Sequence, residues 1–191
     1  MAGDSAPTQE ASPLLGKVGF PSARYCGLDS ISELEVEMDT NDVTLRGYRA
    51  DDWEAMYALD LICFEPHFRF SRRTMRGFAE APNAIALLAE VEGRLAGFSV
   101  AHVEEAVGYV VTLDVAPGWR RKGLAARLMA EVEARVRASG ARRMALHVFM
   151  DNQAAVNFYE ALTYERLDVA EGFYGRGLDA FVYVKQLGET G

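Results

Sequence analysis

Residues 114–125, "DVAPGWRRKGLA", decide how this chain is read. An alternating apolar run ends at Val115, and Pro117-Gly118 breaks it. Arg120, Arg121 and Lys122 come next, then Gly123. From there Leu124, Leu128, Val132 and Val136 recur at helical spacing until Gly140 supplies a stop. A strand, a short basic turn with a glycine, and a helix make an anion site by construction. The first helical amides have no internal partner, the macrodipole favours negative charge there, and glycine lets the backbone approach a guest. A phosphate or pyrophosphate is the natural guest. A Walker pattern fails, because Gly123 follows Lys122 where GK then Ser or Thr is needed. The letters "GRGLDA" (175–180) fit a dinucleotide fingerprint but lead into "FVYV", a strand, and read as a turn.

Working outward, "DVTLRGYR" (42–49) alternates as a strand, and Asp51 or Asp52 can cap a helix through Trp53, Met56, Tyr57, Leu61 and Phe64. Ser71 can cap a second helix through Phe78, ended by Pro82-Asn83. Two apolar runs around Glu92-Gly93 read as a hairpin, and "GYVVTLDV" (108–115) as a third strand of that set. After the basic turn come a helix to about Ala138, a strand over 143–150, a helix over 151–162 capped by Asp151 or Asn152, and a closing strand pair. The order β-α-α-β-β-β-α-β-α-β-β predicts an α+β fold of α/β type. Its sheet is mixed, antiparallel early and locally parallel around the long helix, with one β-α-β crossover.

The chain has 191 residues and a net charge of −8, so a general nucleic-acid binder is excluded, since counterion release needs a basic surface. No apolar run reaches the length of a membrane span, and the N-terminus lacks the apolar stretch of a secretory signal, so a cytoplasmic location is expected. Two cysteines, Cys26 and Cys63, are too few for a disulfide framework, and no Cys/His cluster suggests a metal. Cys63 reads as a small core residue. Residues 1–41, rich in Ala, Ser, Pro and Gly, read as a partly flexible leader, with an acidic alternating run at 31–39 that could pair as an edge strand. The domain proper is expected over 42–191.

Two segments in the right order resemble the GCN5-related N-acetyltransferase (GNAT) superfamily. "LDVAPGWRRKGLAARLM" (113–129) is similar to its pyrophosphate-binding Arg/Gln-x-x-Gly-x-Gly/Ala unit, and "LHVFMDNQAAVNFYEALTYERL" (146–167) to its strand-Asn-helix-Tyr unit. The resemblance covers about 42–187 and implies acetyl-CoA as cosubstrate, with the fourth and fifth strands splayed apart. It implies that Leu113, Asp114 and Val115 bond the pantetheine. It places Arg120, Arg121, Lys122, Gly123, Leu124 and Ala125 at the phosphates, and Asn152, Ala155, Phe158 and Tyr159 along the groove. Within the superfamily the chain resembles the protein N-terminal acetyltransferases, which include the ribosomal-protein alanine acetyltransferases. One branch carries a tyrosine on the fourth strand and a histidine on the fifth, here Tyr109 and His147. That branch grips its peptide with aromatic residues similar to "CFEPHF" (63–68) and Phe173-Tyr174, which implies substrate contacts from Phe64, Glu65, Pro66, Phe68, Phe173 and Tyr174. There are departures: Phe173 stands where that branch has the first tyrosine of a pair, and so lacks a hydroxyl. The glycine that usually ends the fourth helix is Thr163, so a different cap is expected there.

Acetyl transfer to an amine needs a cofactor anchor, a neutral amine, an oxyanion site and a proton for the leaving thiolate. An α-amine with pKa of about 7.7–8.0 arrives largely protonated. His147 is the candidate base, since imidazole titrates near neutrality, and Tyr109 could relay the proton through water. A backbone N–H near Val115 could face the oxyanion. Tyr159 is the candidate acid. It lies seven residues after Asn152 on the same helical face, with Phe158 expected to do the packing that leaves Tyr159 to the groove. Glu65 or Asp179 could attract the incoming ammonium. The primary expectation is acetylation of a protein N-terminal α-amine, by a monomer or homodimer. The alternatives are a small-amine acetyltransferase, for a polyamine or an amino-sugar, and a non-catalytic acyl-CoA-binding module.

Overall fold

The computed structural model describes residues 43–188. The expected leader over 1–41, its acidic run at 31–39 and Cys26 lie outside the described residues. The predicted element order is the observed one: β1 (Thr44–Gly47), α1 (Asp52–Cys63), α2 (Arg72–Ala79), β2 (Ala84–Val91), β3 (Arg94–Glu104), β4 (Val107–Val115), α3 (Leu124–Ala138), β5 (Arg143–Phe149), α4 (Gln153–Ala161), β6 (Glu165–Ala170) and β7 (Ala180–Gln186). Two short 3₁₀ turns, Pro66–Phe68 and Pro117–Trp119, add to it.

The strands form one seven-stranded sheet in the order β1-β2-β3-β4-β5-β7-β6. Only β4 and β5 run parallel, joined through α3; every other neighbouring pair is antiparallel. The β2–β3 hairpin turns on Glu92 (φ 48°) and Gly93 (φ 73°), the paired left-handed residues that match strand twist. Eight consecutive residues of β4 are buried, which requires cover on both faces of the sheet's centre. α3 packs across β2 to β5, with Leu124, Leu128, Val132 and Val136 all buried as the spacing predicts. It lies so close to β4 that any side chain at Gly108 would collide with Val136. α1 lies against β3 and β4, and α2 against α1 and β2.

The β4–β5 ladder is short. It pairs Val107, Gly108 and Tyr109 with Arg143, Met144 and Ala145 and goes no further. Just beyond it, the register with β3 slips, so that Val111 is an extra residue on β4. A bulge bends its strand and re-aims the residues beyond it. The two strands part at that point, and this is the splay that the family resemblance implied.

Local expectations at helix ends met mixed outcomes. Ser71 caps α2 as expected, accepting from the Thr74 amide at 3.1 Å, and Asn152 caps α4, accepting from the Ala155 amide at 3.1 Å. Neither aspartate caps α1 in the usual way: Asp51 makes no side-chain cap bond, and the Asp52 carboxylate is held by Arg46 at 2.6 and 2.8 Å and by the Arg49 amide. The cap after α4 is the clearer correction. Thr163 takes the left-handed conformation (φ 65°) that a glycine would have supplied, and the Tyr164 amide still closes onto the Tyr159 carbonyl at 3.0 Å. Cys63 is half-buried at the end of α1, and its thiol donates to the Val115 carbonyl at 3.4 Å.

Candidate active site

The opening between β4 and β5 has two sides. On the first, Gly123 stands at the N-cap of α3 with φ 77°, and Arg121 two residues earlier also has positive φ, 59°. No side chain caps α3. The first bond of the helix runs from the Arg127 amide to the Gly123 carbonyl at 3.0 Å, so the amides of Leu124 and Ala125 have no acceptor within the helix. The basic side chains contribute less than their number suggests. Arg120 turns back, its Nε donating to the Val115 carbonyl at 3.2 Å, and the Lys122 ammonium lies 5.4 Å from the centre of the Trp119 ring.

The strand edge beside this turn is selective. Antiparallel pairing alternates, and the Ala116 amide bonds the Ala96 carbonyl of the facing strand. By that alternation, and with Phe98 opposite Asp114, the backbone of Asp114 is turned to β3, while the amides of Leu113 and Val115 point into the opening. The Asp114 side chain is buried and accepts from the Thr112 hydroxyl. The amides of Leu113 and Val115 thus lie on the open edge, where the expectation needs them, and that of Asp114 does not.

On the other side stands His147, 7 % exposed. Ala145 is the register partner of Tyr109, so His147, two residues on, projects on the same face as Tyr109. The Tyr109 hydroxyl and His147 Nδ1 are 2.9 Å apart, spanning the opening just where the strands part. Burial removes solvent from the imidazolium and lowers the pKa of His147 to about 4. The ring is thus neutral at physiological pH.

Around His147 the structure gathers side chains from distant segments. Phe68, on the turn after α1, packs against Tyr174 at 5.4 Å between ring centres and against Phe149 at 5.2 Å. Phe149 and Tyr174 meet at 6.0 Å. Phe173 stacks on His147, and the Tyr174 hydroxyl donates to the His147 carbonyl at 3.1 Å. The expected substrate residues Phe68, Phe173 and Tyr174 are brought together. Phe64 is buried, and its backbone carbonyl accepts from Arg69 Nε at 2.7 Å, which ties the loop. Pro66 is exposed, and Glu65 is exposed beside His67. The Asp179 carboxylate accepts from the Gly172 amide at 2.7 Å, which ties the β6–β7 loop. Sequence reasoning missed Phe149. Its signal was available: on a strand, residue i+2 shares the face of His147.

On α4 one expectation is reversed. Ala155, Val156 and Tyr159 form the buried face, with Tyr159 1 % exposed, whereas Phe158 is only partly buried. Tyr159 therefore does the packing assigned to Phe158, its ring 5.5 Å from that of Tyr164. The residue one position after Phe158 faces the sheet because the helix turns about 100° per residue.

Parallel strands that part beside an uncapped helix start, with a buried histidine across the gap, are the arrangement that the family resemblance implied. The chain belongs to the acetyltransferase (GNAT) family, whose profile matches residues 53–164. It is 30% identical over 151 residues to the N-terminal acetyltransferase A complex catalytic subunit NAA10 of Arabidopsis thaliana, covering 76% of this chain and 78% of that protein. Two solved structures show the same fold. The ribosomal-protein-S18-alanine N-acetyltransferase of Escherichia coli aligns with a TM-score of 0.69 at 20% identity, over 78% of this chain and 96% of its own. Arabidopsis thaliana NAA60 in complex with acetyl-CoA aligns with a TM-score of 0.66 at 20% identity, over 75% of this chain and 98% of its own. Among the described residues, no helix is long and apolar enough to cross a membrane.

Proposed function

We propose that this protein transfers the acetyl group of acetyl-CoA to the α-amine of a protein or peptide N-terminus, with residues 42–191 as the acetyltransferase domain. The observation that carries the reading is the Tyr109–His147 pair, lying across the opening of the sheet and ringed by Phe68, Phe149 and Tyr174. Acetyl-CoA supplies the activated thioester. The amides of Leu124 and Ala125 and the left-handed turn at Gly123 hold its diphosphate, and the edge amides of Leu113 and Val115 hold its pantetheine arm. His147 takes the proton that the amine must shed, and burial supports this by keeping the ring in its neutral form. The nitrogen becomes far more acidic once bonded to the acetyl carbon, so a weak base suffices. The departing thiolate takes its proton from water, because Tyr159, the acid the sequence suggested, is packed on the buried face of α4.

A small-amine acceptor is the second reading. Against it, the two carboxylates near the mouth are poorly placed to build a closed acidic pocket: the Glu65 side chain is 79% exposed, and that of Asp179 is bonded to Gly172. One assay separates the readings. The protein is incubated with acetyl-CoA and a panel of N-terminal peptides, lysine peptides and polyamines, and CoA release is followed. Turnover confined to peptides with free α-amines is expected. Tight acetyl-CoA binding with no turnover on any amine overturns the enzyme reading, and turnover on polyamines alone overturns the acceptor.

A further inference from the structure

Adjacent aromatic residues in the β6–β7 loop do different things. Tyr174 turns to the mouth, meeting the rings of Phe68 and Phe149. Phe173 meets neither. Its ring lies flat on the imidazole of His147, 3.9 Å between centres with the planes 1° apart, and its other ring contact among the described residues is with Tyr174. The loop that carries both is held in place. The Gly172 amide donates to Asp179 Oδ1 at 2.7 Å, the Tyr174 amide to the Leu178 carbonyl at 3.0 Å, and the Tyr174 hydroxyl to the backbone carbonyl of His147 itself. One loop thus clamps one residue twice, at the carbonyl through Tyr174 and at the ring through Phe173.

A flat stack covers a face of the imidazole and leaves both nitrogens open in the ring plane. Nδ1 is taken by the Tyr109 hydroxyl at 2.9 Å. Nε2 has no hydrogen-bond partner among the described residues. A base acts through the nitrogen that its orienting group leaves free, and its geometry is set by what fixes the ring plane. Tyr109 of β4 and Phe173 of the loop meet the ring, and Val182 of β7 stands opposite in register. None of these carries a charge near neutrality, and burial is the cause of the lowered pKa.

We propose that Phe173 is a positioning residue for His147 rather than part of the peptide grip: its ring fixes the plane of the imidazole, so that Tyr109 holds Nδ1 and Nε2 is left to the acceptor amine, and it shuts water from one face. This rests on the reading of His147 as the base. A tyrosine at position 173 can stack equally well, whereas an alanine uncovers the ring.

The test uses the full chain with histidine side chains labelled for NMR; there are three, and His147→Ala assigns the third. In Phe173→Ala the His147 titration midpoint is expected to rise from about 4 by ~1 pH unit or more towards the ordinary value near 6.5. The acid limb of kcat/KM should rise with it, and kcat should fall about tenfold or more while acetyl-CoA affinity holds. Phe173→Tyr should leave midpoint and limb in place. Phe173→Leu, apolar but not planar, should fall between, and it serves if the alanine variant folds poorly. An unmoved midpoint in Phe173→Ala overturns the proposal, as does a change confined to the peptide KM. A midpoint that moves while the acid limb stays upholds the positioning and removes His147 as the base.

Discussion

The two sides of the opening are built in opposite ways. The side we assign to the phosphates is one contiguous stretch whose shape lies in the backbone: positive φ at Arg121 and Gly123, then the uncapped start of α3. Its basic side chains are partly diverted, Arg120 to a carbonyl and Lys122 to an indole ring. The acceptor side has the reverse construction. His147, Tyr109, Phe68, Phe149, Phe173 and Tyr174 come from four separate segments, and what they offer is side-chain chemistry in a buried setting. One side should therefore tolerate changes of side chain but not of backbone angle. The other should tolerate little change of side chain.

The hardest blow to this comparison would be a dispensable His147. His147→Ala is expected to lower kcat by about 10²–10⁴-fold, the range for loss of a general base, while the Kd for acetyl-CoA stays within about twofold. The pH–rate profile sharpens the point. Two protonations cut the wild-type rate as pH falls, that of the amine near 8 and that of His147 near 4. The lower break should vanish in the variant. A collapse of cofactor binding instead would mean that the two sides are not separable.

Building the mouth from a buried imidazole has a cost in stability that depends on pH. Folded, His147 stays neutral down to about 4; unfolded, it takes a proton near 6.5. Between those values the unfolded chain binds more protons, so stability falls as pH drops from about 6.5 to 4. The total from this group is about 3 kcal/mol. Urea unfolding across that window should show the slope, and His147→Gln should remove most of it. Equal slopes in both proteins would mean that the imidazole is solvated in the folded state.

On the phosphate side the decisive change is in the backbone. Gly123→Val places a β-branched residue at φ 77°, in a conformation that costs an L-residue about 1–2 kcal/mol. A Cβ at this position meets nothing within 4 Å, so strain rather than collision is the expected cause. The Kd for acetyl-CoA, measured by calorimetry, should weaken about tenfold as the turn relaxes. Lys122→Ala should weaken it only a few-fold, and less at high salt. The opposite ranking would make the site a cluster of cations and not a shaped turn.

This contrast also explains what the sequence made legible. The phosphate turn is contiguous, so one short pattern, with Gly123 before a helical stripe, announced it. The element order came from alternation, caps and Gly/Pro punctuation, because these signals are local. That Leu113 and Val115 lie on the strand beside the turn was readable; that their amides, and not that of Asp114, point away from β3 needed the pairing itself. The mouth was readable only through family likeness, since no local rule brings Phe68 within 5.2 Å of Phe149. Phe158 and Tyr159 were exchanged because sequence periodicity gives a helical face only to within one residue, and packing against the sheet decides the rest.

Thr163 offers the smallest effect and a control for the turn. It shares the left-handed backbone of Gly123, with φ 65°, but sits after α4, where the amide of the next residue closes the helix end. A β-branched side chain in that conformation is strained, and the fold imposes it because Tyr164, buried beneath α3 with its hydroxyl on Glu133 at 3.0 Å, fixes where the chain must go next. Thr163→Gly removes the strain but adds freedom to the unfolded chain, so the net gain should be about 1 kcal/mol or less. Thermal unfolding should shift upward by about 2–4 °C, with kcat, KM and the Kd for acetyl-CoA unchanged. Positive φ at Gly123 would then matter for binding and at Thr163 for stability alone. A change in cofactor affinity on Thr163→Gly would show that the end of α4, and not only the turn before α3, helps to set the groove.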